Sequence, residues 1–290
     1  MVKTAPLKIL ITSQKGGVGK STLSANLAAF FCHTRGKKTA LIDFDHQATS
    51  GKWVKKAYPI GIHCNTADLP NYKGPGIVLL KAKEALRKGV ENHQVVVADL
   101  TWTDVLSPEF LFEFDLVLVP TSLSIIELDS TLEFINRFSF IFKSRMRQPP
   151  KLVLVPSRVD DFETYKAIFT RSFNTSFFLA PPVMYSESAN NFFGSEFFVL
   201  TTNQEVRENF MTFARAIDEL GESEMEDRQE PRRSEFNPKL SGTVLDQFRA
   251  MRNSEEPNTL VEKNPKSEVK QGVSKRLMSA IPTFLINKRD

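Results

Sequence analysis

Residues 9–22 read ILITSQKGGVGKST, an apolar run followed by glycines, two lysines and a pair of hydroxyl side chains. This order is typical of a β-strand that passes through a glycine loop into a helix. Gly16, Gly17 and Gly19 let backbone N–H groups approach phosphate oxygens without clashes from a Cβ atom. The positive end of the following helix faces the same anion. The segment therefore predicts a phosphate-binding loop, and a turn that binds nothing is the disfavoured alternative.

The loop is a variant of the P-loop pattern GxxxxGK[ST], because Gln14 stands where the pattern begins with glycine. Lys20 is positioned to reach the β- and γ-phosphates of a nucleotide, and the Ser21 hydroxyl can ligate Mg²⁺. One lysine is enough for that purpose. The second lysine, Lys15, requires another explanation.

Composition sets the limits of what the chain can be. The chain has 290 residues, 41% hydrophobic and 25% charged, with a formal net charge of +4. Such a length accommodates one α/β domain of about 200–250 residues with an extension. The mild positive charge permits nucleic acid or anionic lipid as a partner and requires neither. Cys32 and Cys64 form no CxxC pair, which favours a reducing cytoplasm.

Strand and helix patterns alternate over the first 220 residues. Short apolar strands are predicted at Leu7–Thr12, Thr39–Asp43, Val95–Asp99, Leu116–Pro120 and Leu152–Pro156. Helices are predicted after the glycine loop, from Pro75 to about Gly89, at Ile125–Phe142 and at Thr202–Leu220. Alternation with continuous apolar strands predicts the α/β class, with a mostly parallel, doubly wound sheet flanked by helices. Ligands of such sheets bind beyond the carboxyl ends of the strands.

The composition changes near residue 221, where GESEMEDRQEPRRSEFNP begins. We therefore divide the chain into a folded domain, residues 1–220, and a charged tail, residues 221–290. The tail is predicted to be largely disordered, with two apolar islands at Val244–Met251 and Leu277–Ile286. The phenylalanine-rich region 173–198 is predicted to belong mainly to the core.

The segment KGGVGKST, Lys15–Thr22, resembles the deviant Walker A motif of the ParA/MinD ATPases. The resemblance implies the P-loop NTPase fold and ATP as the nucleotide. It assigns nucleotide contacts to Lys15, Gly16, Gly17, Val18, Gly19, Lys20, Ser21 and Thr22. It also explains the second lysine, because in that family the residue matching Lys15 crosses a dimer interface to the partner's ATP. Lys15 and Lys20 are thus both candidate catalytic residues.

LIDFDHQATSG, residues 41–51, resembles the D-x-D-P-Q switch of the same family, with His46 in place of proline. Two carboxylates at positions i and i+2 beyond a strand point the same way, here towards the loop. The resemblance implies that Asp43 holds a Mg²⁺-bound water. It implies that Asp45 positions the attacking water and is a third catalytic residue.

QVVVADLTWTD, residues 94–104, occupies the place of the family's second switch. Asp99 matches the acidic residue that supports Mg²⁺, so the candidate metal residues are Ser21, Asp43 and Asp99. Thr101 stands where proline is expected and Trp102 where a small residue is expected. A bulky side chain there could alter how γ-phosphate is sensed, which leaves slow turnover or altered coupling open.

LVPSRVDD, residues 154–161, resembles the segment that packs against the nucleotide base. Its candidates for adenine contact are Pro156, Arg158 and Asp160. A plain turn without contact to the base is equally compatible with the sequence.

The resemblance implies a homodimer joined through ATP, slow hydrolysis stimulated by an adaptor protein, and partition or positioning of a plasmid, chromosome or other cargo. Non-specific DNA is the expected surface, which would make the chain cytoplasmic and nucleoid-associated. The candidate DNA-binding residues are Arg137, Lys143, Arg145, Arg147, Arg207 and Arg215.

Two other functions stay open at this point. A MinD-like membrane switch needs an amphipathic C-terminal helix, and Pro282 would break a helix in residues 274–290. Membrane binding is therefore disfavoured. A nucleotide-bound adaptor that recruits partners through its tail is the other alternative, and the intact Lys20, Ser21 and Asp43 argue against it.

Overall fold

The structure is a computed structural model that describes residues 5–69, 74–122, 124–160, 175–229 and 286–288. All five predicted strands are confirmed, with ends extended by up to three residues. The strands are β1 (Leu7–Ser13), β2 (Thr39–Asp43), β3 (His63–Thr66), β4 (Val95–Thr101), β5 (Leu116–Thr121), β6 (Lys151–Val159), β7 (Phe177–Leu179), β8 (Val183–Met184) and β9 (Ile286–Lys288).

The strands form one sheet in the order β3-β2-β4-β1-β5-β6-β7-β9, and β8 pairs with β6 beside this path. Every pairing is parallel except that of β9, which runs antiparallel to β7. The predicted fold class, a mostly parallel doubly wound α/β sheet, is confirmed. Because the central strands are parallel, the loops after β1, β2 and β4 meet at one edge of the sheet.

Helices connect most of the strands. They are α1 (Lys20–Ala29), α2 (Thr49–Lys56), α3 (Pro75–Val90), α4 (Ile125–Arg137), α5 (Ser139–Phe142), α6 (Glu187–Asn191) and α7 (Gln204–Gln229), with a π-helical turn at Phe30–Thr34 and a 3₁₀ turn at Pro108–Glu113. The helix predicted at Ile125–Phe142 is divided at Phe138. None of the helices in the described residues is both long and apolar enough to cross a bilayer.

Two hydrophobic clusters cover the two faces of the sheet. Alternate residues of β1 point to opposite faces, so that Leu10 joins one cluster while Ile9 and Ile11 join the other. Phe177, Phe197 and Phe198 of the phenylalanine-rich region are buried, which confirms their prediction as core.

The last helix extends beyond residue 220, where the charged tail was predicted to begin. α7 continues nine residues past Leu220, and residues 286–288 form a strand. The helical extension is tied to the amino ends of the strands: Arg228 pairs with the buried Asp115, and Lys151 pairs with the buried Glu224 at 3.4 Å. The apolar island Val244–Met251 and most of Leu277–Ile286 lie outside the described residues.

Candidate functional site

The phosphate loop lies between the end of β1 and the start of α1, at the carboxyl edge of the sheet. Gly17 and Gly19 have φ angles of 80° and 86°, in the left-handed region that favours glycine. A Cβ atom at Gly19 would also come within 2.8 Å of the Ser157 hydroxyl oxygen. No side chain of the described residues caps the N-terminus of α1. Its first N–H groups are therefore available to an anion.

The two lysines of the loop have different surroundings. Lys20 is only 6% exposed, and its Nζ donates a hydrogen bond to the Lys15 carbonyl oxygen at 3.0 Å. The Ser13 hydroxyl donates to the same oxygen at 2.7 Å. The Lys15 side chain is half-buried. In the described ranges, the lysines that form salt bridges are Lys37, Lys83, Lys88 and Lys151. Lys20 thus faces the interior of the loop, and Lys15 forms no salt bridge with a carboxylate of the described residues.

Asp43 and Asp99 lie opposite each other on β2 and β4, and both are fully buried. The Oδ2 atom of Asp43 accepts hydrogen bonds from the Ser50 hydroxyl and the Gly51 N–H, each at 2.8 Å. Its Oδ1 atom accepts the N–H of Asp45 at 3.0 Å. Asp43 therefore fixes the first turn of α2 and the backbone of Asp45 to the end of the strand.

Asp99 has the opposite environment. Among the described residues, neither of its carboxylate oxygens has a hydrogen-bond partner. Burial raises the pKa of Asp99 to about 7, and the negative charges of Asp43 and Asp45 act in the same direction. The nearby Ser21 and Ser50 hydroxyls lower the pKa by a smaller amount. Burying a carboxylate without a partner is costly, so this group is well placed to bind a cation.

The residues around Asp99 fit Mg²⁺. This ion prefers oxygen ligands and is commonly held by one or two carboxylates together with phosphates and waters. Within the residues that the structure describes, no three His, Cys, Asp or Glu side chains come together as a metal-binding group. A cation beside Asp99 would therefore take ligands from the Ser21 hydroxyl, water and a nucleotide phosphate. Ser21, Asp43 and Asp99 remain the predicted metal residues.

Asp45 contacts the second switch directly. Its Oδ1 atom accepts the N–H of Thr101 at 2.6 Å, and its Oδ2 atom accepts the Thr101 hydroxyl at 2.7 Å. Both donors come from the position where the family pattern led us to expect proline, which has no N–H group. The departure from the pattern therefore creates a contact between the two switches.

Trp102 does not face this site. Its side chain is 3% exposed and packs against Phe134 and Phe138, with ring centroids 6.1 and 5.0 Å apart. The backbone N–H of Trp102 donates a hydrogen bond to the Ser13 carbonyl oxygen at 3.0 Å. The ring fills the core beneath α4, so an effect of Trp102 on the sensing of γ-phosphate would have to be indirect, and it stays a prediction.

A cleft of 530 Å³ opens beside the phosphate loop. Its walls include Gly17, Thr22, Trp53, Ser157, Arg158 and Tyr185. Of the three residues predicted to contact adenine, only Arg158 lines this cleft, and its Nη1 donates to the Gly17 carbonyl at 2.8 Å. Pro156 is buried within β6, and Asp160 lines a neighbouring depression. Trp53 and Tyr185 were missed, because only the folding of α2 and β8 brings them to the loop.

The six basic residues proposed to bind DNA differ in whether they form ion pairs within the described residues. Arg137 pairs with Asp104 at 2.7 Å, and Arg147 lies 3.8 Å from Glu113 and over the Phe112 ring. The other four, Lys143, Arg145, Arg207 and Arg215, are exposed.

A comparison with protein families decides the classification. Residues 9–276 match the model described as "CobQ/CobB/MinD/ParA nucleotide binding domain". The chain belongs to this family. The resemblance inferred from Lys15–Thr22 is thereby confirmed.

Individual relatives agree with this assignment. A chromosome-partitioning ATPase Soj from Thermus thermophilus is 32% identical over 120 residues, 34% of this chain and 47% of the relative. The chain spans about half or less of the length of the curated relatives it matches.

Solved structures share the fold. A cobyrinic acid a,c-diamide synthase from Mycobacterium smegmatis with bound ADP and magnesium superposes with a TM-score of 0.57 at 18% identity, covering 75% of this chain and 96% of that one. A putative plasmid partition protein from Borrelia burgdorferi bound to AMPPNP gives 0.51 at 21% identity, covering 72% and 98%.

Proposed function

We propose that the chain is an ATP-dependent switch that dimerises on ATP, binds DNA non-specifically, and partitions or positions a cargo together with an adaptor protein that stimulates its ATPase activity. The observation that carries this proposal is that the two loop lysines have different surroundings. Lys20 faces the inside of the loop, whereas Lys15 is left without a carboxylate partner in the described structure. A nucleotide held by one subunit needs only Lys20, so Lys15 is available to a second subunit.

Hydrolysis would use residues that lie together at the carboxyl edge of the sheet. In this proposal the backbone of Gly16–Gly19 and the Lys20 ammonium bind the phosphates. Asp45 orients the attacking water, and Lys15 neutralises charge in the transition state of the partner's nucleotide. Mg²⁺, when bound beside Asp99, would neutralise charge on the phosphate oxygens.

DNA is the proposed surface, and its phosphates would be contacted by exposed basic side chains. Lys143 and Arg145, like Arg207 and Arg215, form no salt bridge within the described ranges, and they are tested first because they lie close together in the chain between α5 and β6. The relative named for chromosome partitioning supports DNA as the first surface to test. The cytoplasm is the proposed location.

The test uses Asp45→Ala, which should keep ATP bound and hydrolyse it only at a small residual rate. Its binding to random-sequence DNA and to vesicles of anionic lipid is measured with ATP and with ADP across a salt series. We expect DNA binding that requires ATP and weakens steeply with salt. Lys143→Ala/Arg145→Ala should weaken binding more than Lys81→Ala/Arg87→Ala, which removes two exposed basic residues of α3 and therefore changes the net charge equally.

Three results would contradict the proposal. ATP-dependent binding to vesicles, lost when residues 274–290 are removed, would establish a membrane switch instead. Binding to neither surface would indicate an adaptor that works through its tail. Equal DNA binding with ATP and ADP would show that the nucleotide does not control the surface.

A further inference from the structure

The carboxylate of Asp45 is held by a single residue of the neighbouring switch. Thr101 donates its N–H to one carboxylate oxygen at 2.6 Å and its hydroxyl to the other at 2.7 Å. Hydrogen bonds to an ionised acceptor are shorter and stronger than those between neutral groups. Two of them on the two oxygens of one carboxylate fix both the position and the rotation of that group.

Thr101 is itself anchored in the core. It is the last residue of β4 and lies beside Ser13 in the register of β1. The backbone N–H of the next residue, Trp102, donates to the Ser13 carbonyl oxygen at 3.0 Å, and its ring packs against Phe134 and Phe138. The donors that hold Asp45 therefore belong to a rigid part of the sheet and not to a free loop.

The backbone of Asp45 is restrained as well. Its N–H donates to the Asp43 carboxylate at 3.0 Å, so the residue is tied at both its main chain and its side chain. Each carboxylate oxygen can accept a further hydrogen bond besides the one from Thr101. A water molecule can thus be oriented by Asp45 while Thr101 keeps the carboxylate in place.

We propose that Thr101 is a positioning residue for hydrolysis: it holds the Asp45 carboxylate in the orientation that directs the attacking water. The inference rests on the function proposed above. Holding a reactive group in one geometry lowers the activation barrier because the ordering is done before the reaction. Thr101 acts through Asp45 and touches no nucleotide in this scheme.

The test removes the hydroxyl donor of Thr101 and leaves its backbone N–H donor in place. Thr101→Val removes the hydroxyl and preserves the shape and the N–H, whereas Thr101→Ser keeps the hydroxyl. We expect kcat of Thr101→Val to fall about tenfold, the loss typical of one hydrogen bond to a charged group. KM and the affinity for a fluorescent ATP analogue should stay within about twofold, because substrate binding is unchanged. Thr101→Ser should restore most of the activity.

A double-mutant cycle separates positioning from a general structural effect. If Thr101 acts through Asp45, Thr101→Val has no further effect on the residual activity of Asp45→Ala. The amide proton of Thr101, followed by NMR without nucleotide, should also shift in Asp45→Ala because it loses its acceptor.

The outcomes that overturn the proposal are distinct. Unchanged or faster turnover in an active Thr101→Val protein would remove the positioning role alone. An equal loss in the Asp45→Ala background would place the effect elsewhere. A wild-type protein that hydrolyses no ATP, with DNA present, would overturn the proposed function and the positioning role together, whether or not the Thr101 amide shift confirms the contact.

Discussion

Asp43 and Asp99 are register partners on neighbouring parallel strands, both fully buried, yet only Asp43 is hydrogen-bonded within the described structure. The bonds to Asp43 come from residues of the switch that follows it. Asp99 makes no such bond within the described residues, and only the nearby Ser21 and Ser50 hydroxyls lower its pKa. The two carboxylates therefore differ in how their negative charge is stabilised. Hydrogen bonds from the protein stabilise Asp43, whereas Asp99 requires a proton or a cation.

The first prediction concerns the pH dependence of stability. In the folded protein burial raises the pKa of Asp99 from 3.8 to about 7. The folded state thus binds more protons than the unfolded state between these values, and the free energy of unfolding should fall as pH rises through this window. The difference of roughly three pKa units corresponds to about 4 kcal/mol.

Urea unfolding with EDTA present measures this effect in wild type and in Asp99→Asn. The variant cannot ionise, so its stability should exceed that of wild type at pH 8 and approach it near pH 4. Parallel pH profiles for the two proteins would show that Asp99 does not carry the dependence.

The second prediction separates the two loop lysines. Lys20→Ala should lower ATP affinity on the order of 100-fold, because the loop loses its buried charged donor. Lys15→Ala should keep ATP binding and lose ATP-dependent dimerisation, measured by light scattering. A Lys15→Ala protein that still dimerises with ATP would refute the role of Lys15 across an interface.

The third prediction uses two glycines of the same loop. Gly19→Ala forces an L-residue to φ 86° and brings its Cβ to 2.8 Å from the Ser157 hydroxyl. The free energy of unfolding should fall by about 1–2 kcal/mol. Gly16→Ala is the matched control, because its Cβ would meet nothing within 4 Å, and its change should stay within about 0.5 kcal/mol. Urea denaturation without nucleotide compares them, and equal losses would argue against the strain.

The fourth prediction concerns the helical extension beyond Leu220. Asp115 is fully buried and is held by Arg228 and by the Lys8 N–H at 2.6 Å. Arg228→Ala leaves this carboxylate buried without its counter-charge, which should cost about 3 kcal/mol. Thermal or urea unfolding measures the loss, with the exposed Glu226→Ala as control. Similar stability of the two variants would mean that the extension contributes little.

Apolar runs were sufficient to predict the five central strands, because strands buried on both faces must be apolar along their length. β3 was missed because His63–Thr66 lies at the edge of the sheet and is largely polar. α2 was missed because it has only eight residues. It also follows Ala48, whose φ of 47° is rare for alanine and cannot be predicted from the sequence.

The site was predictable to the extent that it follows strand ends. Asp43 and Asp99 could be placed together because parallel strands align their carboxyl ends. The contact between Thr101 and Asp45 could not be foreseen, since it depends on how the end of β4 and the loop after β2 are oriented towards each other. The extension of α7 was not predicted because its charged composition is typical of a disordered tail. Its ion pairs with residues at the strand ends depend on the fold.

The Lys15 carbonyl oxygen accepts hydrogen bonds from both the Lys20 ammonium and the Ser13 hydroxyl. The main chain of one loop lysine therefore holds the side chain of the other. A phosphate that draws the Lys20 ammonium towards itself removes one of the two bonds that steady this peptide. Binding of a phosphate in the loop would thereby weaken the hydrogen bonding of the Lys15 peptide group. This one peptide group would then transmit phosphate binding from the interior of a subunit to its surface.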